Sequence, residues 1–354
     1  MTLITEPNLD PELVRAALPA DWPAPEALGF GQHLGPYLIT ADHDGSGWSA
    51  ARILRRDDAR LAIASGGLQY GLSVFEGMKA YRAPDGGIHL FRPQMHLRRL
   101  QASAARLHLP PVDEALFLRS CMLAVRVHEA MLPPAGRGAL YLRPTIHADE
   151  EALGLKQAAR HRYSVTVTPG SDPQLKSLRM WAEDELIRAA PGGLGAAKTG
   201  ANYAAGLSGL LRARERGYDD VIWLDAATHR WLGEAGTMNL FVQIGGRLLT
   251  PPLDGTILAG VTRDSLLQLA RKEGLEVAEQ GIGLGQLRTA ATSGTLGCAF
   301  GCGTASRIVR IQGVGSVHGE IAIPDNGLPE RLSERLKAVQ EGTAKEHADW
   351  RVAC

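Results

Sequence analysis

The sequence predicts a two-domain protein of mixed α/β class. Three observations lead there. A chain of 354 residues is long enough for a large core and usually divides in two. Strand-like and helix-like periods alternate through both halves, joined by hairpins rather than by repeated βαβ units. No GxGxxG follows a strand and opens a helix, which disfavours a doubly wound nucleotide fold.

The first forty or so residues mix prolines and glycines (DWPAPEALGFGQHLGPY) and predict an extension with short structure. Strand-like material follows at 52–63, then a glycine-rich stretch, GGLQYGLSVFEGMKAYR, at 66–82. The turn APDGG precedes a short apolar strand, IHLF. From Met95 the pattern becomes helical, with Leu97, Leu100, Ala104 and Leu107 on one face, until Pro110 and Pro111 end it. A second helix is expected over 112–129, and strands at ALYLRPTIHA and YSVTVTP. GSDPQLKS is the most loop-like stretch near the middle, so the expected domains are 1–168 and 177–354, separated by a loop at 169–176. Beyond it, LRMWAE reads as a strand, 203–217 as a helix stopped by Gly217, and VIWLDAA as a strand. LFVQIGGRLLTPP predicts a hairpin turned at Gly245 and Gly246. TRDSLLQLARKEGL predicts a helix with Thr262 as its N-cap and Gly274 as its stop.

Composition narrows the function classes. Thirty-eight basic side chains balance thirty-eight acidic ones, so no global field favours nucleic acid as the main partner. No stretch approaches the roughly 18–20 apolar residues of a membrane span. The N-terminus, MTLITEPNLDPELV, has neither the basic start nor the apolar run of a signal peptide, so a cytoplasmic location is expected. Cys121, Cys298, Cys302 and Cys354 are too few and too scattered for a disulfide framework. Cys298 and Cys302 lie four apart without a histidine cluster, and no HExxH occurs, so no metal is expected.

Several residues could carry chemistry. Lys198 sits in GGLGAAKTGANYAAG, where small neighbours would let a bulky planar group approach the backbone. A lysine shielded from water and near positive charge suits Schiff-base chemistry, although a loop lysine reads the same way. Glu234, in LGEAGTMNLF, is either solvated in a turn or buried beside a cation; beside a pyridoxal cofactor it would keep the ring nitrogen protonated. Thr262 in GVTRDS and Thr304 in GCGTAS place hydroxyls among small residues, the first at a helix start suited to phosphate. Arg99 would add fixed positive charge, or else be solvated beside Arg98.

Together these segments resemble the branched-chain amino acid aminotransferase family of fold-type IV pyridoxal-phosphate enzymes. The matching stretches run in the family order: QYGLSVFEGMKAYR, MHLRRLQASAARL, LYLRPTIHA, RAAPGGLGAAKTGANYAAGL, WLDA, GEAGTMNLF, LLTPPLDGTILAGVTRDSLLQLA and FGCGTAS. The resemblance implies pyridoxal 5'-phosphate bound to Lys198, with the Tyr203 hydroxyl on its O3′ and Glu234 facing the pyridine nitrogen. It implies phosphate binding by Arg99, Thr262, Thr304 and the Val261 backbone. Tyr70, Tyr141 and Arg143 would hold substrate carboxylates with backbone donors around Thr304 and Ala305, and Phe75 would wall the side-chain pocket. Further implications are a smaller N-terminal α+β domain and a larger mixed α/β C-terminal domain with the cofactor between them, a homodimer or larger assembly, and ping-pong transfer between hydrophobic L-amino acids and 2-oxo acids, typically 2-oxoglutarate.

D-amino acid aminotransferases and aminodeoxychorismate lyases are similar in fold, but LYLRP and AAPGG fit them poorly. A non-catalytic amino-acid-binding dimer is opposed by the retained Lys198, Tyr203, Glu234, Arg99 and threonines. The chain also departs from the family pattern at Gln69, His147, Cys298 and Arg310, and GSDPQLKS is short. The short loop and His147 favour a wider or more polar pocket, and with it a specialised biosynthetic enzyme for a larger or modified hydrophobic amino acid as an alternative.

Overall fold

The computed structural model describes residue 10 and residues 14–354; the other N-terminal residues, on which most of the leader reading falls, lie outside the described residues. The chain forms two compact units. The first gathers residues up to Pro173 with Ala197–Gly200 and Val339–Cys354, and the second holds Gln174–Ala196 and Ala201–Ala338.

Unit 1 is built on an antiparallel sheet. Its strands are β1 (Tyr37–His43), β2 (Arg52–Arg55), β3 (Ser73–Phe75), β4 (Met78–Arg82), β5 (Ile88–Phe91), β6 (Gly138–Ala148), β7 (His161–Ser171) and the C-terminal strand Arg351–Ala353. The order runs C-terminal strand, β5, β4, β6, β7, β1, β2, with β3 also on β6. The strand expected over 52–63 stops at Arg55, because Arg56–Asp58 turn as a 3-10 segment. Helix α1 (Gly66–Gln69) is a single turn capped by Ser65, while α2 (Pro93–Arg106) and α3 (Glu114–Val127) cover the sheet. Pro93 opens α2, where its missing N–H costs nothing. Asp113 caps α3 by accepting the Leu116 N–H. The predicted apolar face of α2 is the buried one: Leu97, Leu100 and Ala104 join Phe117, Ala124 and Val125 of α3 over Ile39, Met78, Leu140 and Val165. Alternation along β6 sends Leu140, Leu142 and Ile146 into this core. Tyr141, Arg143 and His147 therefore share the opposite face.

Unit 2 holds β8 (Ser177–Glu183), β9 (Asp220–Leu224), β10 (Leu232–Ala235), β11 (Met238–Ile244), β12 (Arg247–Thr250), β13 (Val277–Glu279), β14 (Leu296–Gly303), β15 (Arg307–Gly315) and β16 (Ile321–Ala322). The order is β10, β9, β8, β15, β14, β11, β12, β13, with β16 on β15. Strand β10 also pairs β11, which closes six strands into a ring. The β11–β12 hairpin turns where expected, at Gly245 and Gly246, with φ of 58° and 80° that only glycine adopts without strain. Helices α4 (Gly200–Glu215), α5 (Val261–Lys272), α6 (Leu284–Thr292) and α7 (Leu328–Glu341) surround the ring, and the last turn of α7 groups with unit 1. Gly217 and Gly274 follow α4 and α5 in left-handed conformation, as their stop signals predict. The N-cap of α5 is Gly260, not Thr262; Thr262 stands inside the first turn, where its hydroxyl is not spent on capping.

Candidate active site

In unit 1 the backbone of Lys198 is fixed at three points. Its carbonyl accepts the Phe75 N–H at 2.9 Å, its N–H donates to Ser103 Oγ at 2.9 Å, and Thr199 bridges to Val74. The Thr199 hydroxyl adds a bond to the Ser73 carbonyl. The lysine segment is thus stitched to β3 and α2, which aims Nζ over the Phe75 ring, 4.9 Å from its centroid. Arg143 lies against the same ring at 4.6 Å and donates to the Tyr141 hydroxyl at 3.1 Å. Gly77 makes room for that hydroxyl: a Cβ there would come within 1.7 Å of it. The structure therefore brings Lys198, Phe75, Tyr141 and Arg143 together. Tyr70, the C-cap of α1, is instead turned to the loop after β6, where its hydroxyl accepts the Gly154 N–H.

Arg99, unlike exposed Arg98, is turned inward and held by Glu76, a residue that sequence reasoning missed. Arg99 Nε reaches Glu76 Oε1 at 2.6 Å and Nη2 reaches Oε2 at 2.9 Å, while His96 Nδ1 sits 2.7 Å from Oε2. Burial alone would raise the Glu76 carboxyl, but the Arg99 guanidinium outweighs it, with help from His96, and holds it well below the usual carboxylate range. Ser103 donates to the Arg99 carbonyl while accepting the Lys198 N–H, so one buried hydroxyl ties the arginine's helix to the lysine. The signal for Glu76 was present, in FEG within the matching stretch; nothing local marked it as a partner for a residue 23 positions away.

In unit 2, Glu234 is buried and accepts Asn239 Nδ2 at 2.9 Å and the Leu258 N–H at 3.3 Å on Oε1. Arg188 Nη2 meets its other oxygen at 2.7 Å. Of the two readings left open by the sequence, the structure takes the carboxylate buried beside a cation. Asn239 also donates to the Leu258 carbonyl and crowds the start of α5, since a Cβ on Gly260 would fall 1.9 Å from its Oδ1. Val261 and Thr262 are buried in that first turn, which no side chain caps. Thr304 and Ala305 form the turn between β14 and β15, and Tyr203 lies in the first turn of α4. Among the described residues no cluster of His, Cys, Asp or Glu could hold a metal ion.

These donor sets suit pyridoxal phosphate. A lysine with a fixed backbone can bond its aldehyde carbon, a buried carboxylate can face a pyridinium, and an inward guanidinium and an uncapped helix start each suit a phosphate.

Comparison with known proteins agrees. The family model described as amino-transferase class IV matches residues 73–311. Branched-chain-amino-acid transaminase 1 of Bacillus subtilis (strain 168) is 39% identical over 339 residues, covering 93% of this chain and 95% of that protein. The solved branched-chain aminotransferase of Thermoproteus uzoniensis with norvaline superposes with a TM-score of 0.76 at 24% identity, over 90% of this chain and 98% of that one. The enzyme from Thermobaculum terrenum in its PLP form gives 0.72 at 21% identity, over 91% and 99%.

Proposed function

Because the chain belongs to the class IV aminotransferases, and within them to the branched-chain aminotransferase family, we propose that it moves amino groups between branched-chain or related hydrophobic L-amino acids and 2-oxoglutarate, with pyridoxal phosphate as cofactor. The observation that carries the reading is Lys198, whose fixed backbone presents Nζ to the face of Phe75 beside Arg143 and Tyr141. Bound pyridoxal phosphate supplies an electron sink for the charge left when the substrate Cα loses its proton. Lys198 Nζ carries the cofactor and is the base that takes and returns that proton. Glu234 would keep the pyridine nitrogen protonated. The Tyr203 hydroxyl would bond the cofactor's O3′, while Arg99, Thr262, Thr304 and the Val261 N–H would hold its phosphate. Tyr141 and Arg143, with the backbone around Thr304 and Ala305, orient the substrate carboxylates, and Phe75 walls the side chain; Tyr70, bonded to the loop after β6, is left out of this group.

A homodimer or larger assembly and a cytoplasmic location belong to the same proposal. Among the described residues no helix is long and apolar enough to cross a membrane.

Three of the departures from the family pattern have local accounts. Gln69 is exposed and donates to the Ile63 carbonyl, and Cys298 is a buried thiol that burial pushes up to about 12. Arg310 pairs with Asp325 and Glu330 ahead of and within α7. His147 differs, because it shares the β6 face of Tyr141 and Arg143. That placement supports the second reading, a specialised enzyme for a larger or modified hydrophobic amino acid. A half-reaction screen of kcat/KM over valine, leucine, isoleucine, methionine, phenylalanine, glutamate and branched analogues decides between them. One methylene is worth about 1–3 kcal/mol of discrimination, so graded overlap among the aliphatic substrates is expected. Preference for aspartate or a D-amino acid, with no hydrophobic L-substrate accepted, overturns both readings.

A further inference from the structure

Arg188 has no role in the reading above, yet it makes the ionic contact of the buried Glu234. Its Nη2 lies 2.7 Å from Glu234 Oε2, and the two side chains are 12% and 5% exposed. The same nitrogen donates to the carbonyls of Gly195, at 3.2 Å, and Thr256. Those two backbones touch so closely that a Cβ on Gly195 would meet the Thr256 oxygen at 2.5 Å. One guanidinium therefore joins three pieces of unit 2: the GGLG segment that runs into the lysine sequence, the loop before α5, and the carboxylate on β10. Beside the pair is a cavity of about 190 Å³ with a largely apolar lining that includes Trp223, Pro251, Pro252 and Ile257.

In such surroundings a carboxylate without a partner is costly, and burial favours its protonated form. A protonated acid has no charge to offer a pyridinium. The guanidinium supplies what the surroundings lack: a fixed positive charge that keeps the group a carboxylate, and a charge-assisted hydrogen bond to Oε2. Asn239 and the Leu258 N–H hold the other oxygen, so the carboxylate is oriented from both ends. Lysine would keep the charge, but as a point charge on a flexible stem it lacks the guanidinium's fixed approach to these acceptors.

We infer that Arg188 is the positioning residue of Glu234, holding it ionised and oriented toward the cofactor's pyridine nitrogen. The inference rests on the cofactor reading proposed above. The test uses the full chain with pyridoxal phosphate and compares R188M, R188K, E234Q and the double variants by the visible band of the bound cofactor and the half-reaction rate with leucine. R188M slows the half-reaction on the order of tenfold, within the range seen for coupled neighbours. It also displaces the visible band in the direction E234Q does, and R188K restores part of both. Each arginine substitution has little further effect in the E234Q background. Thermal unfolding of the cofactor-free protein shows the same non-additivity between R188M and E234Q. A wild-type band and rate in R188M alongside an impaired E234Q overturns the inference, as do independent effects of the two changes. Should R188M not fold, R188K decides in both backgrounds: it is slow with Glu234 present and neutral with Gln at that position, or the inference fails. If the wild-type protein takes up no cofactor, or K198A keeps the visible band, the cofactor reading itself falls and takes this inference with it.

Discussion

At the scale of single residues, Lys198 and Arg99 are held by different means, and this separates what their removal does. The bonds that fix Lys198 come from its backbone, so Lys198→Ala leaves them standing. We expect that variant to fold with a near-wild-type melting temperature while losing the visible band and all transamination; normal turnover with leucine sinks the assignment. Arg99 is bound through its side chain to a fully buried carboxylate. Arg99→Ala thus removes the proposed phosphate contact and takes from Glu76 its guanidinium partner, a change that costs about 3–5 kcal/mol where a buried pair is broken from one side. Loss of cofactor on dialysis together with a lowered unfolding midpoint is the expected result, and equal retention by variant and wild type would assign the phosphate to another group. Lys198, Arg99 and Glu234 could be singled out in the sequence because each has a residue type suited to a stated chemistry in a distinctive local setting. Glu76 and Ser103, which hold Arg99 and Lys198, and Asn239 and Arg188, which hold Glu234, were not, since their contacts form only in the folded chain.

Among the elements, helices and hairpins with strong local signals matched their predicted places, and errors fell where a tertiary contact decides. Thr262 looks like a cap in the sequence, but the approach of Asn239 leaves room only for Gly260 at that position. Leu328, Leu332, Leu336 and Val339 of α7 do repeat at helical spacing, whereas α6 has only nine residues and little apolar pattern to mark it. Sheet order has no local signal: β8 pairs with β15, more than a hundred residues on. The contact at Gly260 yields a prediction at this scale. Gly260→Ala pushes a methyl group into Asn239 Oδ1, which displaces either the start of α5 or the amide that holds Glu234. We expect a loss of about 1–3 kcal/mol from overpacking, together with weaker cofactor retention. Calorimetry and cofactor quantitation on the same sample check both, and a fully wild-type variant would show that the contact is soft.

For the molecule as a whole, the balanced net charge hides an asymmetry in how stability responds to pH. Burial depresses several histidines: His128 and His161 fall to about 4 from a usual 6.5, and His96 is also lowered. The unfolded chain therefore takes up protons below about 6.5 that the folded one refuses, so stability declines as pH falls through that range. Glu76 acts in the same sense further down. Its folded value lies well below 4.5, so its contribution is complete above that pH and is lost as acid protonates it. Asp220, raised by burial, works against the trend. Unfolding midpoints of the cofactor-free protein should thus decline from neutrality toward pH 4 and fall faster below it; a midpoint that climbs over that range refutes the account. The closure of β10 onto β11 has a consequence of its own. A strand bonded on both sides has no open edge from which to fray, so Glu234 is anchored in one of the last places to loosen. In deuterated buffer, the amides of β10 should keep their protons about as long as the protein stays folded, while those of the exposed stretch 253–255 before α5 exchange early.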